Sequence, residues 1–99
     1  MLTSDKNNEV NKWDEYAWQV LYETNVNRVY KAAYSIVLDE EMAEEITQIT
    51  FMKAFMHINQ LRDKGKFKSW ICKIAVNTAR DMLRQKITER NRSTSLYDD

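Results

Sequence analysis

The sequence predicts an all-α chain, a compact bundle of three to four helices, and three observations carry that expectation. One Gly and no Pro occur in 99 residues, which leaves few means of making tight turns. Strong helix formers such as Ala, Leu, Met, Glu, Lys and Gln are plentiful. Apolar residues recur at spacings of three and four along most of the chain. The length suits one domain with one modest core and is too short for a lobed enzyme. The expected division is a flexible N-terminus over residues 1–12, a helical domain over 13–87, and the start of a linker or tail over 88–99.

The polar opening residues are expected to fray. From Trp13 the pattern changes: Trp13, Tyr16, Ala17, Val20 and Leu21, then Val26, Val29, Tyr30, Ala33, Tyr34, Val37 and Leu38, keep helical spacing. A break is expected near Thr24–Asn27, where helix formers run out. Asp39 is placed to N-cap the next helix, with Glu40 and Glu41 in the first turn, where the helix dipole favours negative charge. That helix is predicted to run to about Asn59. Met42, Ala43, Ile46, Thr50, Phe51, Ala54, Phe55 and Ile58 cover well over half of its circumference, which predicts a place at the centre of the bundle. The remaining strip is Glu41, Glu45, Gln48, Ile49 and Met52. Carboxylates around a small apolar centre suit protein docking, although Ile49 and Met52 can equally face a neighbouring helix.

Leu61–Lys66, LRDKGK, holds the single Gly of the chain, and Gly65 is the natural place for a positive φ. Lys64, Lys66 and Lys68 are expected beside free backbone N–H groups at a helix start, which favours a phosphate; a solvated turn is the plainer alternative. Phe67–Lys86, FKSWICKIAVNTARDMLRQK, then reads as one amphipathic helix. Phe67, Ile71, Ile74, Ala75, Thr78 and Met82 gather on one side, and Trp70, Lys73, Asn77, Arg80 and Arg84 on another. Cations meet phosphates, amides read base edges and aromatics stack on unpaired bases, so the second stripe suits nucleic acid. A solvated face with one snorkelling Trp is the competing reading.

The formal net charge is zero, yet it is unevenly spread. Residues 1–61 hold five Lys/Arg against ten Asp/Glu, whereas residues 62–92 hold ten Lys/Arg against Asp63, Asp81 and Glu89. An acidic half followed by a basic half implies two partners of opposite character, one of them a polyanion.

Several classes are excluded or disfavoured. No apolar run approaches the ~20 residues needed to cross a bilayer, so no membrane insertion is expected. The N-terminal MLTSDKNNEV lacks the basic-then-apolar order of a signal peptide. A single Cys, Cys72, permits no disulfide framework, redox pair or zinc site, and fits a reducing cytoplasm. His57 stands alone among apolar neighbours, Glu44 and Glu45 diverge on a helix, and no Gly-rich phosphate loop is present. No catalytic constellation emerges, and neither a cofactor nor a metal is expected.

From about Leu21 to Leu83 the chain resembles region two of bacterial RNA polymerase sigma factors of the extracytoplasmic-function (ECF) group. LYETNVNRVYKAAYSIV resembles the first conserved helix, AEEITQITFMKAF the core-binding helix, and FKSWICKIAVNTARDML the promoter-reading helix. The run WxxxIAxNxAxDxL, placed after AExxxQxxFxKA, is the most specific part, and RSTSLYDD resembles the start of an inter-domain linker. The resemblance implies that Glu41, Glu45, Gln48, Ile49 and Met52 dock on a coiled coil in the largest subunit of core RNA polymerase. It implies that Lys64, Lys66, Phe67, Lys68, Ser69, Trp70, Lys73, Asn77, Arg80 and Arg84 engage the minus-ten element of promoter DNA, opening it and capturing a flipped non-template base. Such a base gives up stacking worth about a few kcal/mol, which its pocket and the phosphate contacts must offset. An anti-sigma factor is a further implied partner.

Three features depart from the family pattern. Ile49 stands where Asp or Glu usually follows the Gln. Asp63 stands where Gly is common after the Arg. Nothing resembling region four follows, so the expectation is either an excised domain, which the linker-like tail favours, or a natural half sigma factor. Two other functions stay open: a protein-interaction module of the same fold with little DNA reading, and a single-strand binder indifferent to sequence.

Overall fold

The computed structural model describes the backbone of residues 14–98 and the side chains of residues 14–92. The predicted frayed segment 1–12, with Trp13, lies outside the described residues. Among the described residues three helices form the bundle: α1 (Glu15–Val37), α2 (Glu40–His57) and α3 (Phe67–Asp98). Short 3₁₀ turns at Ile58–Gln60 and Lys64–Lys66 join α2 to α3. Each helix packs against both others. The all-α expectation therefore holds, with α2 sharing the core with its neighbours.

Asp14 caps α1 by accepting from the Ala17 N–H at 2.8 Å. The break predicted near Thr24–Asn27 is absent, and α1 runs unbroken through it. Asn25 is buried, and its side-chain amide donates to the Leu21 carbonyl one turn back at 2.9 Å. The polar group that usually competes with helical backbone is thus satisfied within the helix. Leu38 ends α1 in the left-handed region, at φ 54° and ψ 37°, and its N–H donates to Tyr34 O. Leu38 therefore occupies the conformation that a helix C-terminus commonly gives to Gly. Asp39 then caps α2, accepting from Met42 N–H at 3.0 Å, as the sequence predicts.

Two apolar clusters fill the space between the helices. One joins Val29, Phe51, Ile58, Phe67 and Ile71. The other joins Ala33, Val37, Ile46 and Ala79. Ala33, Ala43, Ala54, Ala75 and Ala79 are all fully buried, so the three helices meet on small side chains and approach closely. Trp18 presents its edge to Phe51, Phe55 and Phe67 and closes the first cluster at the N-terminal end of α1. Across the seam between α2 and α3, Lys53 Nζ donates to the buried Thr78 hydroxyl at 2.9 Å.

The last helix outruns its predicted end at Lys86 and stays helical to Asp98. Core contact fades at Met82 and Leu83, and every side chain from Arg84 to Arg92 is exposed. The apolar period vanishes there because there is no partner to face, whereas the backbone meets neither Gly nor Pro to stop it. Lys86 ties the start of this projecting portion to the body, 3.8 Å from an Asp39 carboxylate oxygen.

Candidate docking strip and nucleic-acid interface

The five residues predicted as a docking strip share one face of α2. Glu41, Glu45 and Gln48 are exposed, Ile49 is half-buried, and Met52 is 60% exposed. The strip is also longer than predicted. Phe55 and Met56, 57% and 67% exposed, continue its apolar part toward the C-terminus of α2. The sequence places Phe55 among the core residues, yet it is largely exposed and meets Trp18 edge-on at 5.3 Å between ring centres. Three large apolar side chains within five positions thus lie open beside a row of carboxylates, an arrangement suited to a protein partner. The spacing of Met52 and Met56 with Ile49 was visible in the sequence. Which side of the apolar arc α1 and α3 would leave uncovered was not.

The turn before α3 is built by Asp63. Its carboxylate accepts from Gly65 N–H at 2.9 Å, and its carbonyl accepts from Lys66 N–H at 3.0 Å. Phe67 N–H donates in turn to the Lys64 carbonyl. The N–H groups of Gly65, Lys66 and Phe67 are therefore already used within the turn, which leaves only donors further into the first turn of α3 for an anion. Gly65 does not adopt the positive φ predicted for it. Its lack of a side chain serves a close approach, since a Cβ there would lie 3.2 Å from an Asp63 carboxylate oxygen. Lys64, Lys66 and Lys68 are exposed around this turn, and Ser69 Oγ donates back to Lys66 O at 3.3 Å.

The predicted reading stripe divides into three parts. Ser69, Lys73, Asn77 and Arg80 line one open groove on the outer face of α3, and Cys72 and Val76 supply its apolar portion. This puts cations, an amide and a hydroxyl around a surface able to take the face of a base. Arg84 belongs to the next stretch, where it donates to Asp81 at 2.6 Å, an exposed pair that neutralises part of its charge. Trp70 is half-buried against the first cluster, its ring tilted on Phe67 at 5.9 Å. Phe67 is 2% exposed and held between Trp18 and Trp70, which removes it from the predicted DNA-contacting set. As the first residue of α3 it is the anchor that fixes where the reading face points. Cys72 is half-buried at the groove.

Two surfaces of opposite chemistry thus occupy separate helices of one body. The family model described as Sigma-70 region 2 matches residues 21–87. The chain belongs to the sigma-70 region 2 family. The relatives of this region 2 domain agree with the ECF group named by its motifs. It is 35% identical over 65 residues to the ECF RNA polymerase sigma factor SigM of Bacillus subtilis, a match covering 66% of this chain and 39% of the relative. It is 27% identical over 86 residues to SigW of the same organism, covering 87% of this chain and 46% of that one. A third relative, the ECF sigma factor SigE of Mycolicibacterium smegmatis, is 31% identical over 70 residues, 71% of this chain and 27% of its own length. The region 2 domain therefore spans less than half the length of these relatives. No solved structure matches it. These relatives are named as RNA polymerase sigma factors. Among the described residues no cluster of His, Cys, Asp and Glu is arranged to hold a metal, and no helix is long and apolar enough to cross a membrane.

Proposed function

We propose that this region 2 domain acts in transcription initiation, docking on core RNA polymerase through α2 and opening the promoter minus-ten element through α3. The observation that carries the reading is the separation of the two surfaces. The acidic and apolar strip Glu41–Met56 faces outward from α2, and the groove of Ser69, Lys73, Asn77 and Arg80 faces outward from α3. One body can then hold a protein and a polyanion at once, without either competing for the other's charge. In this scheme Asn77 pairs with a base edge, Lys73 and Arg80 hold the backbone, and Lys64, Lys66 and Lys68 gather phosphates near the start of α3. The exposed part of Trp70 packs at the boundary between paired and opened DNA. A cytoplasmic setting follows from such a role, and an anti-sigma factor covering either surface would silence it.

Retention of purified core RNA polymerase by the immobilised chain tests the docking half. Wild type is expected to retain it, and Gln48→Ala and Glu45→Lys to lose it. Binding of opened non-template oligonucleotides tests the reading half. Lys73→Ala and Asn77→Ala are expected to lose affinity while keeping polymerase retention. Retention unaffected by either docking variant refutes the docking strip. DNA affinity and base preference unaffected at Asn77 and Lys73 would point instead to an interaction module.

A further inference from the structure

A second recess opens between α1 and α2, beside the docking strip and sharing Gln48 with it. Tyr22, Val26, Asn27 and Tyr30 line it from α1, and Glu44 and Gln48 from α2. Its aromatic walls are held in place. Tyr22 packs edge-on against Phe51 at 4.8 Å between ring centres and remains 42% exposed. Tyr30 is half-buried and stacks on Tyr34 at 6.1 Å and 17°. Asn27, Glu44 and Gln48 are exposed and make no hydrogen bond or ion pair with other described residues, so two amide carbonyls and a carboxylate stand ready to accept.

Carboxylates gather at the Tyr30 end of the recess. Partial burial, then the carboxylates of Glu40 and Glu44, then Tyr34 and Asp39, all raise the Tyr30 hydroxyl above its ordinary pKa. Glu44, which lines the recess, is one of three carboxylates acting on that hydroxyl. An anion is unfavourable here, and a purely apolar side chain would leave Glu44 and both amides facing it unpaired. An ammonium is compact and strongly hydrated, and gains little from flat aromatic walls. A guanidinium is planar, weakly hydrated and stacks on aromatic faces, and its forked donors match a carboxylate flanked by amide carbonyls. Its three-methylene stem would lie along Val26 and Tyr22.

We propose that this recess seats an arginine side chain of the protein that docks along the α2 strip. The assignment rests on the docking reading above, because Gln48 belongs to both the strip and the recess. A partner helix lying on Glu45, Ile49 and Met52 can send one long side chain past Gln48 toward Glu44. The recess then supplies what Ile49 does not: a carboxylate contact displaced from the strip to its flank. Partner choice would depend on α1, a helix that contributes nothing to the strip itself.

Two measurements test this. In the first, the chain is titrated with N-acetyl-arginine amide and, separately, with N-acetyl-lysine amide, while backbone amide resonances are followed by NMR. Shifts are expected at Asn27, Tyr30 and Gln48 with the arginine derivative, at least about twofold larger than with the lysine derivative, and lost in Glu44→Lys. Equal shifts with both probes, or none with either, overturn the assignment whatever polymerase does. In the second, Glu44→Lys is compared with Glu89→Lys for retention of core RNA polymerase, the two making the same charge change inside the recess and on the projecting part of α3. Glu44→Lys is expected to weaken retention about tenfold more than Glu89→Lys does, with both variants melting like wild type. Equal retention by the two overturns the recess and leaves the docking strip standing. Failure of the wild type itself to be retained, with arginine shifts present, would instead remove polymerase as the partner.

Discussion

Phe67 offers the sharpest separation of scaffold from reading surface, because the sequence puts it in both. It is 2% exposed, with Trp18 edge-on at 6.1 Å and Trp70 tilted at 5.9 Å. Truncation to Ala removes the ring and leaves a cavity between two indoles, at a cost of about 3–5 kcal/mol. A domain of this size has about 5–15 kcal/mol in all, so the loss is a large fraction of its stability. The melting temperature should fall by roughly 12–40 °C. Phe67→Leu keeps most of the volume and should cost about 1–2 kcal/mol. The assay pairs thermal melts by circular dichroism with binding of opened non-template oligonucleotides, measured below each variant's transition. Phe67→Leu should bind within about twofold of wild type, whereas Lys73→Ala should melt normally and bind at least about fivefold more weakly. If Phe67→Leu melts near wild type and still loses DNA affinity about tenfold, the ring touches DNA and the scaffold reading fails.

Three further perturbations follow from local geometry. Leu38→Gly relieves a left-handed backbone at a residue 71% exposed, and should raise stability by about 0.5–1 kcal/mol in urea melts, whereas Leu38→Ala should not. Thr50 is fully buried and its hydroxyl has no partner among the described residues, so Thr50→Val should stabilise by about 1–2 kcal/mol. Thr47 lies one turn earlier with its hydroxyl donating to Ala43 O at 2.7 Å, and Thr47→Val should be neutral or slightly destabilising; equal gains at both positions would refute the distinction. Across the α2–α3 seam, Lys53→Met strands the buried Thr78 hydroxyl and should cost about 1–2 kcal/mol, while Thr78→Val lets the lysine swing to water and should cost less. The double variant measures their coupling, expected at about 0.5–1.5 kcal/mol, and additivity would show that the bond does nothing.

Local signals in the sequence carried the helices well, and long-range ones carried the surfaces less well. The Asp39 cap and the buried side of α3, at Phe67, Ile71, Ala75 and Thr78, follow from spacing and side-chain chemistry alone. Asn25 misleads because its tendency to break a helix is cancelled by its own bond to Leu21 O, a geometry no propensity encodes. The turn misleads similarly. A lone Gly suggests a positive φ, but Gly65 has none, and its missing side chain instead leaves room beside the Asp63 carboxylate. The positive φ falls instead on Leu38, two residues before α2, where a Leu in helical register reads as a core position.

The functional residues raise a different difficulty. Exposure of Phe55 and Met56 depends on where α1 stops covering α2, so an arc that is apolar in sequence divides into core and surface only once three helices are assembled. The same assembly creates the recess at Tyr30 and Glu44 from two helices whose patterns, taken singly, show a polar face. What remains legible is the excess. A helix of an ordinary three-helix bundle needs an apolar stripe, and α2 carries Ile49, Met52, Phe55 and Met56 beyond it. Apolar side chains that the core cannot use are held against solvent at some cost, and a second protein surface is the simplest reason for them to be there. By that argument the docking strip should tolerate Met52→Leu and Met56→Leu in polymerase retention but lose about tenfold to Met52→Asp, with the melting temperature unchanged in all three.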